Sequence, residues 1–194
     1  MSGASALSII REEHAAVSAL LRSLRLLAAK GPGERRAQFF ESMRAMLFYL
    51  DEFPERRHHP NESNLLFPML LRATPELQPV IEKLEADHAS GEHRVRKLQH
   101  MLVGWEFLGE ARRDGFTVAL NDYIRLYLQH MQVEETHLLP HAARVLSPAQ
   151  HAELDAAFAA ALDPLASGRR EPVYEELFDR IVGQAPSPVG LGHG

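Results

Sequence analysis

Apolar side chains recur along most of the chain at spacings of three and four residues, the spacing of one buried face of an α-helix. The first run begins at Leu7 and stops at Gly31-Pro32-Gly33, and a second run begins near Glu34. No stretch sustains the alternation of β-branched and polar residues that is typical of a half-buried strand. The pattern therefore predicts an all-α protein.

Prolines and glycines divide this pattern into four long helices and two short ones. Thr74-Pro75-Glu76 predicts the start of the third helix, and Asp114-Gly115 predicts its separation from the fourth. Ser147-Pro148 predicts the start of a short helix, and another amphipathic segment covers 174–182.

The second helix contains Pro54 and Pro60. Because proline has no N–H to donate and its ring clashes with the preceding turn, we expect this helix to bend or break there. Together the boundaries predict an up-down four-helix bundle at 1–146, a helical extension at 147–185 and a flexible tail at 186–194.

Two segments that lie 72 residues apart repeat one arrangement of His, Glu, Leu and Pro. Residues 58–68 read HHPNESNLLFP, and residues 130–140 read HMQVEETHLLP. A looser match aligns His14 in the first helix with His88 in the third. An approximate repeat of two helix pairs is typical of a four-helix bundle.

The repeated His-x-x-x-Glu pairs place an imidazole and a carboxylate one turn apart on the same helix face. Three such pairs occur, but only His58/Glu62 and His130/Glu134 carry the trailing Leu-x-Pro. With His14 and His88, these residues would direct four imidazoles and two carboxylates into one bundle interior. Buried histidines satisfied by hydrogen bonds are the plainer interpretation. Buried carboxylates must be paired or coordinated, however, and this favours two divalent ions with the glutamates as bridges.

Nitrogen and oxygen ligands without sulfur suit iron, manganese or zinc. Glu-x-x-His spacing, as in ferritin-like bundles, also occurs, for example at Glu55/His58. The repeat places Glu55 opposite Tyr127 and His137 opposite Leu65, so this spacing is not kept in both halves. The repeat therefore favours His-x-x-x-Glu.

The single His of the first helix, HHPNESNLLFP, EADHASGEH and HMQVEETHLLP together resemble hemerythrin-like (HHE cation-binding) domains over roughly residues 5–146. The resemblance implies an up-down four-helix bundle around a non-heme di-iron centre with an oxo or hydroxo bridge. It also implies terminal and bridging ligands. The terminal ligands would be His14, His58, His88 and His130, and the bridging ligands would be Glu62 and Glu134.

One position departs from the oxygen-carrying hemerythrins, which place a further His one turn after the third-helix ligand. This chain has Glu92 there, which would bind weakly, bind through water or leave a position open. His59 and His137 are each a hydrogen-bond partner of the ligands or a surface residue. Gly91 leaves space for a small ligand or for close helix packing.

Composition narrows the functional classes. The net charge is -5 and every pair of adjacent arginines is interleaved with acids, which argues against nucleic-acid binding. The chain has no cysteine, no signal-peptide pattern at its start and no apolar run of about 18 residues. We therefore expect a cytoplasmic protein without membrane contact. No feature of the sequence indicates an oligomeric state.

These observations favour a di-iron protein that binds O2 or NO for redox or gas sensing, storage or carriage. A di-iron enzyme that activates oxygen or peroxide, or assists iron-centre repair, is the alternative. A structural metal site, with zinc for instance, in an interaction module is a third possibility. The sequence leaves open whether the protein is an enzyme.

Overall fold

A computed structural model describes residues 5–161, 165 and 175–184 of the chain. All regular structure in these residues is helical, which confirms the all-α prediction. Helix α1 is Ala6–Lys30, α3 is Gln78–Leu108, α5 is Pro148–Ala160 and α6 is Glu175–Gln184. Helix α2 covers 36–73 in five segments: Arg36–Leu50, Asp51–His58, His59–Asn61, Glu62–Leu66 and Phe67–Ala73. Helix α4 covers 113–145 in three: Arg113–Val133, Glu134–Leu138 and Leu139–Val145.

Helix α2 continues through Pro54 and Pro60, so of the two predicted alternatives, a bend or a break, the break is wrong. Its segment Asp51–His58 is a π-helix, and the N–H of His59 donates to the carbonyl of Pro54, five residues back. The wider turn accommodates a proline that has no N–H and whose ring crowds the carbonyl four residues earlier.

The two repeated motifs share another π-helical segment. The N–H of Phe67 donates to the Glu62 carbonyl, and the N–H of Leu139 donates to the Glu134 carbonyl. A proline follows directly in both cases and interrupts the α-helical hydrogen bonds. The trailing Leu-x-Pro of the motif thus corresponds to a local widening of the helix right after each glutamate.

Two glycines in the left-handed region set the turns between helices. Helix α1 ends as predicted, since Gly31 has φ +78° and its N–H donates to the Leu27 carbonyl. The predicted boundary at Asp114-Gly115 is wrong, because α3 ends at Leu108, followed by Gly109 with φ +88°. Residues that carry a side chain rarely adopt this backbone conformation, so the glycine at position 109 allows the turn.

The interior consists of two apolar clusters separated by a layer of buried polar residues. The large cluster surrounds Phe40 and Trp105, and the small cluster surrounds Phe67 and Leu139. The polar layer comprises Glu13, His14, Glu55, His58, His59, Glu62, His88, His130 and Glu134. Helices α1 and α3 pass from the small cluster through the layer to the large one, and α2 and α4 pass in the opposite order.

The two shorter helices pack on the outside of the long ones. Helix α5 lies against α1, where the N–H of Ala6 donates to Asp155. Helix α6 lies against α2 through an Arg180–Glu41 ion pair. The predicted tail at 186–194 lies outside the described residues. Within the described part of the chain, every helix is too short or too polar to cross a membrane.

Candidate metal centre

The six residues predicted as ligands all lie in the polar layer. Each long helix contributes one histidine, and the exposed fraction of these residues is at most 9%. Glu62 on α2 and Glu134 on α4 are 0% and 1% exposed. The structure therefore brings together the imidazoles and carboxylates that the sequence pattern aligned on separate helices.

Each buried glutamate faces two imidazoles, one with each carboxylate oxygen. Glu62 Oε1 lies 3.2 Å from His58 Nε2, and Glu62 Oε2 lies 3.5 Å from His88 Nε2. Glu134 Oε2 lies 3.3 Å from His14 Nε2, and its Oε1 lies 3.2 Å from His130 Nε2. A carboxylate with one imidazole at each oxygen has the arrangement of a bridge between two metal ions.

The potential ligand atoms fall into two groups, within each of which all atoms lie within 4.8 Å of one another. The first half-site consists of His14, His58 and Glu62. The second half-site consists of His59, Glu62, His88 and His130. Glu62 belongs to both, and Glu134 lies beside one imidazole of each. The sequence pattern did not identify His59 as a ligand.

Several atoms at the centre are buried without a hydrogen-bond partner among the described residues. They include His58 Nε2 and both carboxylate oxygens of Glu62 and of Glu134. The carboxylate oxygens lie 3.2–3.5 Å from imidazole nitrogens, but these contacts are not oriented as hydrogen bonds. Leaving a buried charged acceptor unpaired is costly, and a divalent cation is the partner that this donor set prefers. The residues therefore fit a two-metal centre.

The first half-site orients its imidazoles through their other ring nitrogens. His58 Nδ1 donates to Glu13 Oε2 at 2.6 Å, and His14 Nδ1 donates to Glu135 Oε1 at 3.0 Å. Holding the proton on Nδ1 leaves the Nε2 lone pair free toward the centre, as metal-binding histidines require.

In the second half-site, the imidazoles of α3 and α4 have looser partners of the same kind. His88 Nδ1 donates to the hydroxyl of Ser63 at 3.1 Å, and Ser63 donates to Glu85 at 2.9 Å. His130 Nδ1 lies 3.8 Å from Asp87 Oδ2, which is an ion-pair distance rather than a hydrogen bond. The tighter orientation thus belongs to the imidazoles of α1 and α2.

The carboxylates hold protons on the imidazoles of the metal-free chain. Burial alone lowers the pKa of His130, but Glu134 and Asp87 outweigh it and raise that pKa to about 10. Burial also lowers the pKa of His58, and Glu62 with Glu13 raises it well above 6.5. Burial would raise the pKa of Glu134, but His130 brings it well below 4.5. Metal ions must therefore displace protons from these imidazoles.

A second buried hydrogen-bond network adjoins the site. Its members Glu55, Tyr123 and Tyr127 were not predicted as ligands from the sequence. Glu55 accepts from His59 Nδ1 at 3.0 Å and from the Tyr123 hydroxyl at 3.5 Å. The Tyr127 hydroxyl lies 3.1 Å from His59 Nε2. Burial raises the pKa of Glu55 to about 8. A Cβ on Gly91 would lie 2.8 Å from Glu55 Oε1, so this carboxylate fills the space that the glycine leaves.

Two other predicted contributors lie away from the centre. The Glu92 side chain is 48% exposed and pairs with Arg96, one turn further along α3, so this arrangement disfavours direct binding and leaves the alternative of an open position. His137 is exposed, and its Nδ1 lies 2.7 Å from the Thr136 hydroxyl.

A small and mostly apolar cavity lies beside the first half-site, with room for about one water-sized molecule. Val17, Phe53 and Met131 contribute apolar walls, and the rings of His14, His58, His59 and Tyr127 also line it. The end of α5 also lines it through Ala161.

The fold and this site define a helical metal-binding protein whose centre is built from histidines and glutamates. The family model for the hemerythrin HHE cation binding domain matches residues 5–142, a range that contains all six predicted ligands. The chain belongs to that family. No curated protein and no solved structure matches the chain.

Proposed function

We propose that the chain is an up-down four-helix bundle with a non-heme di-iron centre that binds O2 or NO in sensing, storage or carriage. The observation that carries the proposal is the pair of buried glutamates with one imidazole at each oxygen. Membership of the family implies metal binding, and the donor set of imidazoles and carboxylates suits iron, with manganese or zinc as the other candidates.

The predicted ligands would bind two ions. His14 and His58 would hold the first ion, and His88 and His130 would hold the second. Glu62 and Glu134 would bridge them and, together with an oxo or hydroxo bridge, offset their charge. Bound iron supplies reversible electron transfer to a diatomic ligand.

The surroundings of the first half-site suit a small neutral ligand. The cavity beside His14 and His58 has mostly apolar walls and little room, so it disfavours charged or larger molecules. Glu13 and Glu135 keep the two imidazoles in fixed orientations, which limits rearrangement when a ligand enters.

An enzymatic role is the second candidate, and a specific network favours it. Glu55, His59 and Tyr127 form a buried hydrogen-bonded chain next to the second half-site. Such a chain can deliver protons to reduced oxygen, which an oxygen- or peroxide-activating enzyme needs and a reversible carrier must avoid.

The test is metal analysis and visible spectroscopy of protein purified in air, then reduced and titrated with O2 or NO. The proposal expects two irons per chain and a stable ligand adduct that is lost in His14→Ala. Exposed His100 provides the matched control, and His100→Ala should behave as the wild type. Turnover of peroxide without a stable adduct would favour the enzyme. A colourless protein with zinc would contradict both.

A further inference from the structure

The sequence left open whether helix α3 adds Glu92 to His88 as a ligand of the second half-site. Glu92 follows His88 by one turn, but its carboxylate is turned to solvent and pairs with Arg96. With His88 and His130 alone, this half-site would have no more imidazoles than the first.

His59 on α2 adjoins the imidazoles of the second half-site. Its ring stacks on the ring of His88 with centroids 4.0 Å apart and planes 12° apart, and its centroid lies 5.5 Å from that of His130. Because the lone pairs of two parallel rings do not meet at one point, one of the two rings must rotate out of this stack when both bind the same ion. It is 5% exposed, and it offers a nitrogen within 4.8 Å of the ligand atoms of Glu62, His88 and His130.

The partners of His59 match those of the predicted ligands. Its Nδ1 bonds to Glu55, just as His58 Nδ1 bonds to Glu13. The Glu55 carboxylate is itself held between the Tyr123 hydroxyl and the bare backbone of Gly91. A histidine that donates from Nδ1 to a buried carboxylate presents the lone pair of Nε2, which is how proteins orient metal ligands.

We propose that His59 is a ligand of the second metal ion through Nε2, so that α2 supplies the third imidazole and α3 supplies only one. This inference rests on the proposed two-metal centre. It makes the ions unequal, with two imidazoles on the first and three on the second. Such a nitrogen-rich second site suits iron or zinc better than magnesium or calcium.

Coordination has one structural consequence for Tyr127. Its hydroxyl lies 3.1 Å from His59 Nε2 and donates to that nitrogen, which has a single lone pair. Binding of the metal therefore replaces this hydrogen bond. The competing interpretation keeps the hydrogen bond and makes His59 only a link between Glu55 and Tyr127, and the two interpretations predict opposite effects of removing the hydroxyl.

The experiment compares iron binding to the full chain and to His59→Ala, His59→Met and Tyr127→Phe. Methionine is the residue that α4 carries at the matching position, Met131. Stepwise affinities come from titration against a chelator, and the number of imidazoles per iron comes from X-ray absorption. Loss of an outer hydrogen-bond partner costs about 10–100-fold in metal affinity, so loss of a ligand should exceed about 100-fold. Both His59 variants should therefore weaken the second ion by more than that and leave the first ion bound.

Tyr127→Phe should retain both ions with equal or tighter affinity, since the competitor for Nε2 is gone. Added imidazole should restore the second ion in His59→Ala, which also shows that the variant is folded. Two tightly bound ions in both His59 variants, or an equal loss in Tyr127→Phe, would overturn the assignment. A wild-type chain that binds fewer than two ions would instead contradict the two-metal centre itself.

Discussion

Helices α2 and α4 carry the same motif but differ in what they add around it. Both place a histidine and a glutamate one turn apart, both widen into a π-helix right after the glutamate, and both have a proline directly afterwards. At matching positions, however, α2 has Glu55 and His59 where α4 has Tyr127 and Met131. All four are buried. The shared part of the repeat builds the bridged centre, and the unshared part builds its hydrogen-bonded surroundings.

The local geometry differs as well. Helix α2 has an additional π-helical segment, Asp51–His58, which contains Pro54. The matching stretch of α4 belongs to the α-helical segment Arg113–Val133 and has Leu126 in place of the proline. π-Helical segments are frequent at functional sites, and here one ends at His58, the first of the two adjacent histidines.

The strongest test of the shared part is removal of either bridge. Glu62→Ala and Glu134→Ala should each reduce bound metal from two ions to fewer than one, because each glutamate lies at an imidazole of both half-sites. At a thousandfold excess of ligand over Kd, metal stabilises the folded state by about 4 kcal/mol. The difference in Tm between loaded and chelated protein should therefore disappear in both variants. Exposed Glu76→Ala is the control. A loss of metal in only one of the two variants would show that the repeated glutamates do not have equivalent functions.

Proton release tests whether the two halves respond equally. His58 and His130 occupy matching positions, and both have a pKa raised well above 6.5, about 10 for His130. His14 also has a raised pKa, through Glu134 and Glu135. Full loading at pH 7 should therefore release at least about two protons, so the overall binding constant for both ions should rise at least about 100-fold per pH unit. Titration calorimetry in buffers of different ionisation enthalpy measures this, and His58→Ala and His130→Ala should each remove about one proton.

The same shifts determine how the stability of the metal-free chain depends on pH. A raised histidine pKa contributes stability that is complete below 6.5 and is lost as the pH rises through the folded value. The chelated protein should therefore lose stability from about pH 6.5 towards pH 10, and the loaded protein should lose less over that range.

Removing the carboxylates that orient the imidazoles should lower metal affinity by different amounts in the two half-sites. Glu13 is buried and lies 2.6 Å from His58 Nδ1, whereas Asp87 lies 3.8 Å from His130 Nδ1 and also pairs with Lys83. Glu13→Gln should weaken the first ion by about 10–100-fold. Asp87→Asn should weaken the second by less than about 10-fold, because the contact is longer and partly screened. Affinities are measured by competition with a chelator. Equal losses of affinity in the two variants would show that the shorter Glu13–His58 distance does not strengthen metal binding.

The smallest expected effect concerns Glu55, which has no counterpart in α4. Gly91→Ala should cost about 1–3 kcal/mol of unfolding free energy, because the new Cβ lies 2.8 Å from Glu55 Oε1. Gly104→Ala is the control on the same helix, since nothing lies within 4 Å of its Cβ, and it should gain about 1 kcal/mol. In a Glu55→Ala background, Gly91→Ala should behave like the control. Denaturant unfolding of the four variants would decide this.

The repeat accounts for what the sequence could and could not predict. It located the six buried histidines and glutamates, because periodicity records which face of a helix is turned inward. It also led to the rejection of Glu55 and left His59 undecided, because these residues occur in only one half. Burial at such positions depends on neighbours from other helices, such as Gly91 and Tyr123, which single-helix periodicity does not include.

Two other local features have simpler explanations. Glu92 has the right spacing from His88, but Arg96 holds it on the exposed face of α3. Asp114-Gly115 has the composition of a turn, as does Gly109, and only the backbone shows which glycine lies in the left-handed region. Composition identifies residues that can form a turn, and the path of the chain selects among them.

The polar layer affects how cooperatively the protein unfolds. Every long helix crosses it once, with a separate apolar cluster at each end. Ions bound in this layer by all four helices would couple the two apolar clusters, so that they unfold as one cooperative unit. Without them, amide hydrogen exchange should show two populations of opening energies, with faster exchange around the small cluster of Phe67 and Leu139 than around Trp105. In this protein, metal occupancy would set the number of units that unfold independently.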